Sequence, residues 1–288
     1  MHDLTTQLEH SLKVLRLPGI LSTYRNFSDQ ATEKRLHYEE YLALLLENEL
    51  NRRIDASAKT RIAKARFPYI KTVDQFDFSF QPSLNEKEIA RLGSLSFLEN
   101  KDNILLLGPP GVGKTHLAIG LGIKACMAGY SVLFLTVQKL IEELTIAKRE
   151  GNLLSKIISY SRLQLLIVDE MGYTPINREH ANLLFQMISM RYEKGSVILT
   201  SNYNFDEWGK IFEDTVAATA IIDRLLHHAS IFYINGSSYR LKDKLKKGKT
   251  ISELQKQQTK ISPNINSEVS PDWAVVHSHP EAAPQKPA

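Results

Sequence analysis

Residues 104–115 read Ile-Leu-Leu-Leu-Gly-Pro-Pro-Gly-Val-Gly-Lys-Thr, an apolar run that passes directly into a glycine-rich loop. Its latter part, Gly108-Pro109-Pro110-Gly111-Val112-Gly113-Lys114-Thr115, satisfies the pattern G-x-x-x-x-G-K-[ST]. The residue types follow from what holding a triphosphate demands. Glycines let the backbone curl until several N–H groups point inward at phosphate oxygens. A helix that starts at the end of the loop adds its positive N-terminal pole. Lys114 supplies a full charge for the β- and γ-phosphates, and the Thr115 hydroxyl can ligate Mg²⁺. The context agrees: the apolar run 104–107 precedes the loop, and Leu117, Ala118, Leu121 and Ala125 follow it at helical spacing up to Gly129. The stretch is read as an ATP-binding phosphate loop, with His116 next to it on the following helix.

Working outward, Leu165-Leu166-Ile167-Val168-Asp169-Glu170 is the expected second half. A buried strand ending in Asp169 sets a carboxylate at the edge of a sheet, where it can hold the Mg²⁺ shell, and Glu170 can activate a water. In Leu199-Thr200-Ser201-Asn202 a polar amide again ends an apolar run, which places Asn202 between γ-phosphate and attacking water. Apolar runs at 104–107, 131–136, 165–168 and 197–200, separated by helical periodicity, predict a parallel sheet covered on both faces.

Residues 1–67 carry helical spacing only: Leu4, Leu8, Leu12 and Leu15 up to Pro18-Gly19, then Tyr38, Tyr41, Leu42, Leu45, Leu46, Leu50 and Ile54, continuing to Phe67. An aromatic-rich loop spans 68–80, and Ser83 with Glu86 has capping-box spacing for a short helix. The expected organisation is a helical N-terminal domain at 1–67, an ATPase domain at 68–247 and a disordered tail at 248–288. Residues 242–249 hold five lysines and one aspartate. The one cysteine, Cys126, makes neither an internal disulfide nor a cysteine zinc site, and no apolar run is long enough to cross a bilayer. A cytoplasmic location is the default. The adjacent His227-His228 would point to different sides of a helix and, with no third ligand in view, form a poor zinc pair.

The chain resembles the IstB-type transposition helper ATPases, which are related to the DnaC-type helicase loaders of the AAA+ class. The resemblance runs over about residues 1–245 and rests on GPPGVGKTHLA at 108–118, LLIVDEMGY at 165–173 and LTSN at 199–202. Asp206-Glu207-Trp208-Gly209, DRLLHH at 223–228 and GSSYRLK at 236–242 narrow it, with Ala65-Arg66-Phe67-Pro68 and Phe76-Asp77-Phe78 upstream. It implies an AAA+ P-loop core in which Lys114 and Thr115 bind ATP and Mg²⁺, Asp169 holds the metal, Glu170 is the base and Asn202 a sensor. Arg224 would be a finger reaching a neighbouring subunit's γ-phosphate, and Arg240 a second sensor acting in cis. The implied role is to assemble as a homo-oligomer on duplex target DNA and recruit an insertion-sequence transposase.

The basic run 52–71 agrees with a duplex partner: Arg52, Lys59 and Arg66 recur every seven residues, with Arg53 beside them. A replicative helicase loader would use the same core but grip a helicase and favour single strands. A small-molecule P-loop kinase is the other competing class, and it would need lid arginines and a second substrate pocket.

Overall fold

The computed structural model describes residues 2–241, with side chains described over 4–240. The expected tail and all of the lysine run at 242–249 lie outside the described residues. Five strands, β1 (Asn103–Leu107), β2 (Val132–Thr136), β3 (Leu165–Met171), β4 (Ser196–Ser201) and β5 (Ala229–Tyr233), form a parallel sheet in the order β2-β3-β4-β1-β5. All four expected strands are present; three match their predicted ends to within one residue, and β3 runs three residues further, to Met171. The fifth, β5, was not foreseen. It lies at the sheet edge, paired only with β1, and is half exposed, so its sequence lacks the continuous apolar signal of the others.

The apolar runs are continuous because both faces are covered, and alternate residues feed two cores. Leu166, Val168, Leu105, Val197 and Leu199 pack with α7 (Val137–Arg149), α8 (Leu153–Ser161), α9 (Arg178–Arg191) and α10 (Thr215–Leu226). Leu165, Ile167, Ile104, Leu106 and Ile198 face the opposite way. They pack with α4 (Glu86–Leu92), α5 (Ser96–Asn100) and α6 (Lys114–Met127). The result is a three-layer α/β domain with the phosphate loop between β1 and α6.

The N-terminal segment is three helices, α1 (His2–Val14), α2 (Pro18–Lys34) and α3 (Tyr38–Lys64). Pro18, read in the sequence as a stop, is also the first residue of α2, where its missing N–H costs nothing. The buried Glu49 of α3 accepts from the backbone N–H groups of Gly19 (2.6 Å) and Ile20 (3.2 Å) and thereby caps α2. Helix α3 stops at Lys64 rather than Phe67, and the Ala65 carbonyl then accepts from Phe134 N at 2.8 Å, covering the outer edge of β2. The predicted capping box at Ser83 does not form. Asn85 caps α4 through Lys87 N, and Ser83 instead accepts from Asn235 N, because the chain from β5 returns to this point.

Candidate functional site

At the carboxyl end of β1 the chain enters the phosphate loop and leaves it as α6. Gly113 adopts φ +104, and a Cβ there would lie 2.4 Å from the Phe76 ring. Gly111, at φ +83, would place a Cβ 2.1 Å from Ser238 Oγ, and its carbonyl accepts from Tyr239 N at 2.8 Å. Only glycine fits either position. The aromatic segment and the chain after β5 are therefore both pressed onto the loop, one from each side.

Lys114 is buried, and its ammonium donates to the carbonyls of Gly108 (2.6 Å) and Pro109 (2.8 Å) and to Asn202 Oδ1 (2.7 Å). Burial pushes its pKa down to about 8; the positive charge of Arg240 adds to this and the Asp169 carboxylate opposes it. Thr115 Oγ1 donates to Asp169 at 2.9 and 3.1 Å to its two oxygens. Asp169 is buried and takes a second hydroxyl, Thr200 Oγ1, at 2.5 Å.

Two consecutive acids on a regular strand would face opposite sides of the sheet. Here the β3–β4 register shifts between Val168 and Met171, so that Asp169 and Glu170 together stand opposite Thr200. Glu170 takes φ +66, and its N–H donates to Thr200 Oγ1 at 3.0 Å. This bulge breaks the strict alternation of faces, so that the Asp169 carboxylate and the Glu170 N–H both meet the Thr200 hydroxyl. Burial, helped by the neighbouring Asp169 charge and opposed by Arg240, raises the Glu170 pKa.

These groups open into a cavity of about 510 Å³. Its walls include the loop residues 110–116, Glu170, Thr200, Asn202 and Arg240. Tyr69, Ile70, Lys71, Gln75 and Phe76 close one side, Tyr173 and Tyr239 others. His116 lies in the wall with Nε2 2.9 Å from the Thr72 carbonyl and its ring edge-on to Phe76; burial lowers its pKa. The wall from 69 to 76 was not assigned to the site from sequence. Its aromatic content was the only signal, and aromatic residues in a loop suit a core as well as a pocket.

Arg224 is not among the residues around the cavity. It stands on α10 with its guanidinium 4.7 Å above the Phe185 ring and one nitrogen donating to the Ala220 carbonyl at 3.0 Å. The basic residues expected on one helix face are not all there. Arg66 lies beyond the end of α3 at φ +62 and pairs with Glu143 at 2.8 Å, because the helix stops two residues earlier. Arg53 pairs with Glu49 and donates to the Arg16 carbonyl. Arg52 and Lys59 remain on α3 and form no ion pair among the described residues.

The oxygen donors fit a hard divalent cation: the Thr115 hydroxyl and the buried Asp169 carboxylate converge at the head of α6, as Mg²⁺ beside a triphosphate requires. The family model for "IstB-like ATP binding protein" matches residues 10–247. The chain belongs to the IstB-like ATP-binding protein family. Over 242 residues it is 47% identical to an insertion sequence IS21 ATP-binding protein of Pseudomonas aeruginosa, covering 84% of this chain and 91% of that one. An insertion sequence IS5376 ATP-binding protein of Geobacillus stearothermophilus is 45% identical over 230 residues, 80% of this chain and 92% of that one. The crystal structure of DnaI aligns at 19% identity with a TM-score of 0.48, over 57% of this chain and 91% of that chain, too weak a likeness to add to the assignment. As an IstB-like family member the chain is an ATP-binding protein. Among the described residues no helix is long and apolar enough to cross a membrane.

Proposed function

We propose that the protein hydrolyses ATP with Mg²⁺ and uses the cycle to assemble on duplex target DNA and recruit the transposase of its insertion sequence. The observation that carries the hydrolytic part is the bulge at Asp169–Glu170, which offers one carboxylate to Thr115 and leaves a second at the cavity wall. A protein that only bound ATP would need the first and not the second. Lys114 and the loop N–H groups hold the phosphates. Asn202, already 2.7 Å from Lys114 Nζ, positions the attacking water, and Glu170 accepts its proton. Thr115 and Asp169 would hold Mg²⁺, which would supply positive charge against that of the phosphates. Arg240, in the same wall, senses the nucleotide in cis.

Naming of both relatives for insertion sequences supports the transposition role, and Arg52 and Lys59 on α3, which form no ion pair among the described residues, suit contact with DNA phosphates. The test is binding to a random-sequence duplex and to a single strand across a salt series, with and without ATP, for the protein and for Glu170→Gln. Duplex binding that needs ATP and falls linearly in log–log with salt is expected. Glu170→Gln should keep ATP and DNA binding while turnover drops by about 10²–10⁴. A preference for single strands would move the reading to a helicase loader, and normal turnover in Glu170→Gln would remove Glu170 as the base.

A further inference from the structure

Two adjacent histidines within a helix diverge, which is the objection to His227 and His228 as a ligand pair. The structure removes that objection. Helix α10 ends at Leu226, His227 is its C-terminal cap, and His228 already belongs to the chain turning into β5, where its carbonyl accepts from Asn103 N at 2.6 Å. The two rings converge, with centroids 4.1 Å apart. The missing third group arrives from elsewhere in the chain. Glu193, in the turn between α9 and β4, places Oε1 3.6 Å from His228 Nε2. One ligand atom from each of Glu193, His227 and His228 lies within 4.8 Å of the other two.

The framework around this cluster is fixed. Arg191, two residues before Glu193, is fully buried and donates to the carbonyls of Tyr160 (2.6 Å), Leu163 (2.9 Å) and Ser196 (2.7 Å), which pins the turn that presents Glu193. The Tyr192 hydroxyl lies 2.7 Å from His227 Nδ1 and holds that ring, as groups outside the ligand set do at metal sites.

We propose that Glu193, His227 and His228 bind a divalent transition-metal ion of the zinc class. Two imidazoles and one carboxylate are the donor set of borderline first-row ions such as Zn²⁺ and Co²⁺, whereas Mg²⁺ and Ca²⁺ take oxygen ligands. Around a tetrahedral ion with bonds of 2.0–2.1 Å, ligand atoms stand about 3.3 Å apart. The His228–Glu193 pair is already close to that, and the exposed side chains close the remaining gap by small rotations. Water completes the coordination. The site is separate from the nucleotide: Glu193 and His228 lie just before β4 and β5, at the end of the parallel sheet opposite the phosphate loop, which follows β1. No step of the ATPase reading depends on it, so the two can fail separately.

The experiment is calorimetric titration of Zn²⁺ into the tag-free, metal-stripped full chain, with Co²⁺ absorption as the second readout. One equivalent of Zn²⁺ is expected, undisturbed by excess Mg²⁺, with a visible Co²⁺ band typical of mixed nitrogen and oxygen ligands. His227→Ala, His228→Ala and Glu193→Gln should each weaken Zn²⁺ binding at least tenfold, the lower end of what loss of a group merely supporting a ligand costs. A fluorescent nucleotide titration should be unchanged in all three, which shows that they are folded. Absence of saturable Zn²⁺ binding would reduce the cluster to an ion pair and overturn the proposal. Equal binding by the variants and the parent would place the metal on other histidines and overturn it as well.

Discussion

Lys114 shows most directly how one side chain's environment sets a measurable property. Burial holds its pKa at about 8, so in the protein alone the side chain is charged below that pH and increasingly neutral above it. A triphosphate favours the ammonium form. Below pH 8 no proton need be taken up on binding; above it, binding must draw one from solution. ATP affinity should therefore be flat from about pH 6.5 to 7.5 and fall about tenfold by pH 9, with one proton taken up per nucleotide there. Calorimetric titrations of a non-hydrolysable ATP analogue across this pH range, in buffers of different ionisation enthalpy, check both parts. Flat affinity to pH 9 would mean that the lysine is not the charge the phosphates meet. At this scale the sequence was informative because the chemistry lies in residue types at fixed spacing: Lys114, Thr115, Asp169 and Asn202 are joined by direct hydrogen bonds. The opposite wall, Tyr69 to Phe76, has no such spacing to read; chain folding alone brings it to the loop.

Among the elements, the strands were legible and the departures from regularity were not. Strand β3 could be found from its apolar run, but nothing in Val-Asp-Glu-Met announces a bulge. The register shift exists because β4 offers Thr200 to two residues at once. Its hydroxyl donates to Asp169 and accepts from Glu170 N, so it is the positioning residue for both carboxylates. Thr200→Val keeps the β-branched shape that the strand packs and deletes only the hydroxyl. Loss of a hydrogen bond to a charged group should lower turnover by about 10–100-fold while KM for ATP changes little, since the loop and Lys114 are untouched. Thr200→Ser should restore most of the rate. A purely structural role would instead lower thermal stability without separating the kinetic constants, and would leave Thr200→Ser no better than Thr200→Val. The same kind of blindness explains Arg66 and His227: each was given a helical neighbourhood by periodicity, and each lies at or past a helix end that local sequence does not mark sharply.

For the whole molecule the question is whether one chain is a complete ATPase. The cavity has its loop, its acids, Asn202 and Arg240, yet Arg224 stands apart on α10, stacked over Phe185 beside an exposed strip with Val216 and Thr219. If Arg224 serves a neighbour's cavity, the contact is head-to-tail, and each active site is made of two subunits. Arg224→Ala should then bind ATP with nearly unchanged affinity but lose DNA-stimulated hydrolysis by about 10³ or more, as finger removal does elsewhere. Lys114→Ala should be inactive for the opposite reason: it keeps the arginine and loses the charge that holds the nucleotide. In an equal mixture, an Arg224→Ala subunit holding ATP beside a Lys114→Ala subunit supplying the arginine makes a competent interface. Random assembly of such head-to-tail contacts gives about a quarter of them that order. The mixture should therefore recover about a quarter of the parent rate from two inactive proteins, measured by phosphate release with duplex DNA present. Recovery at no ratio would mean that Arg224 works within its own chain or not at all.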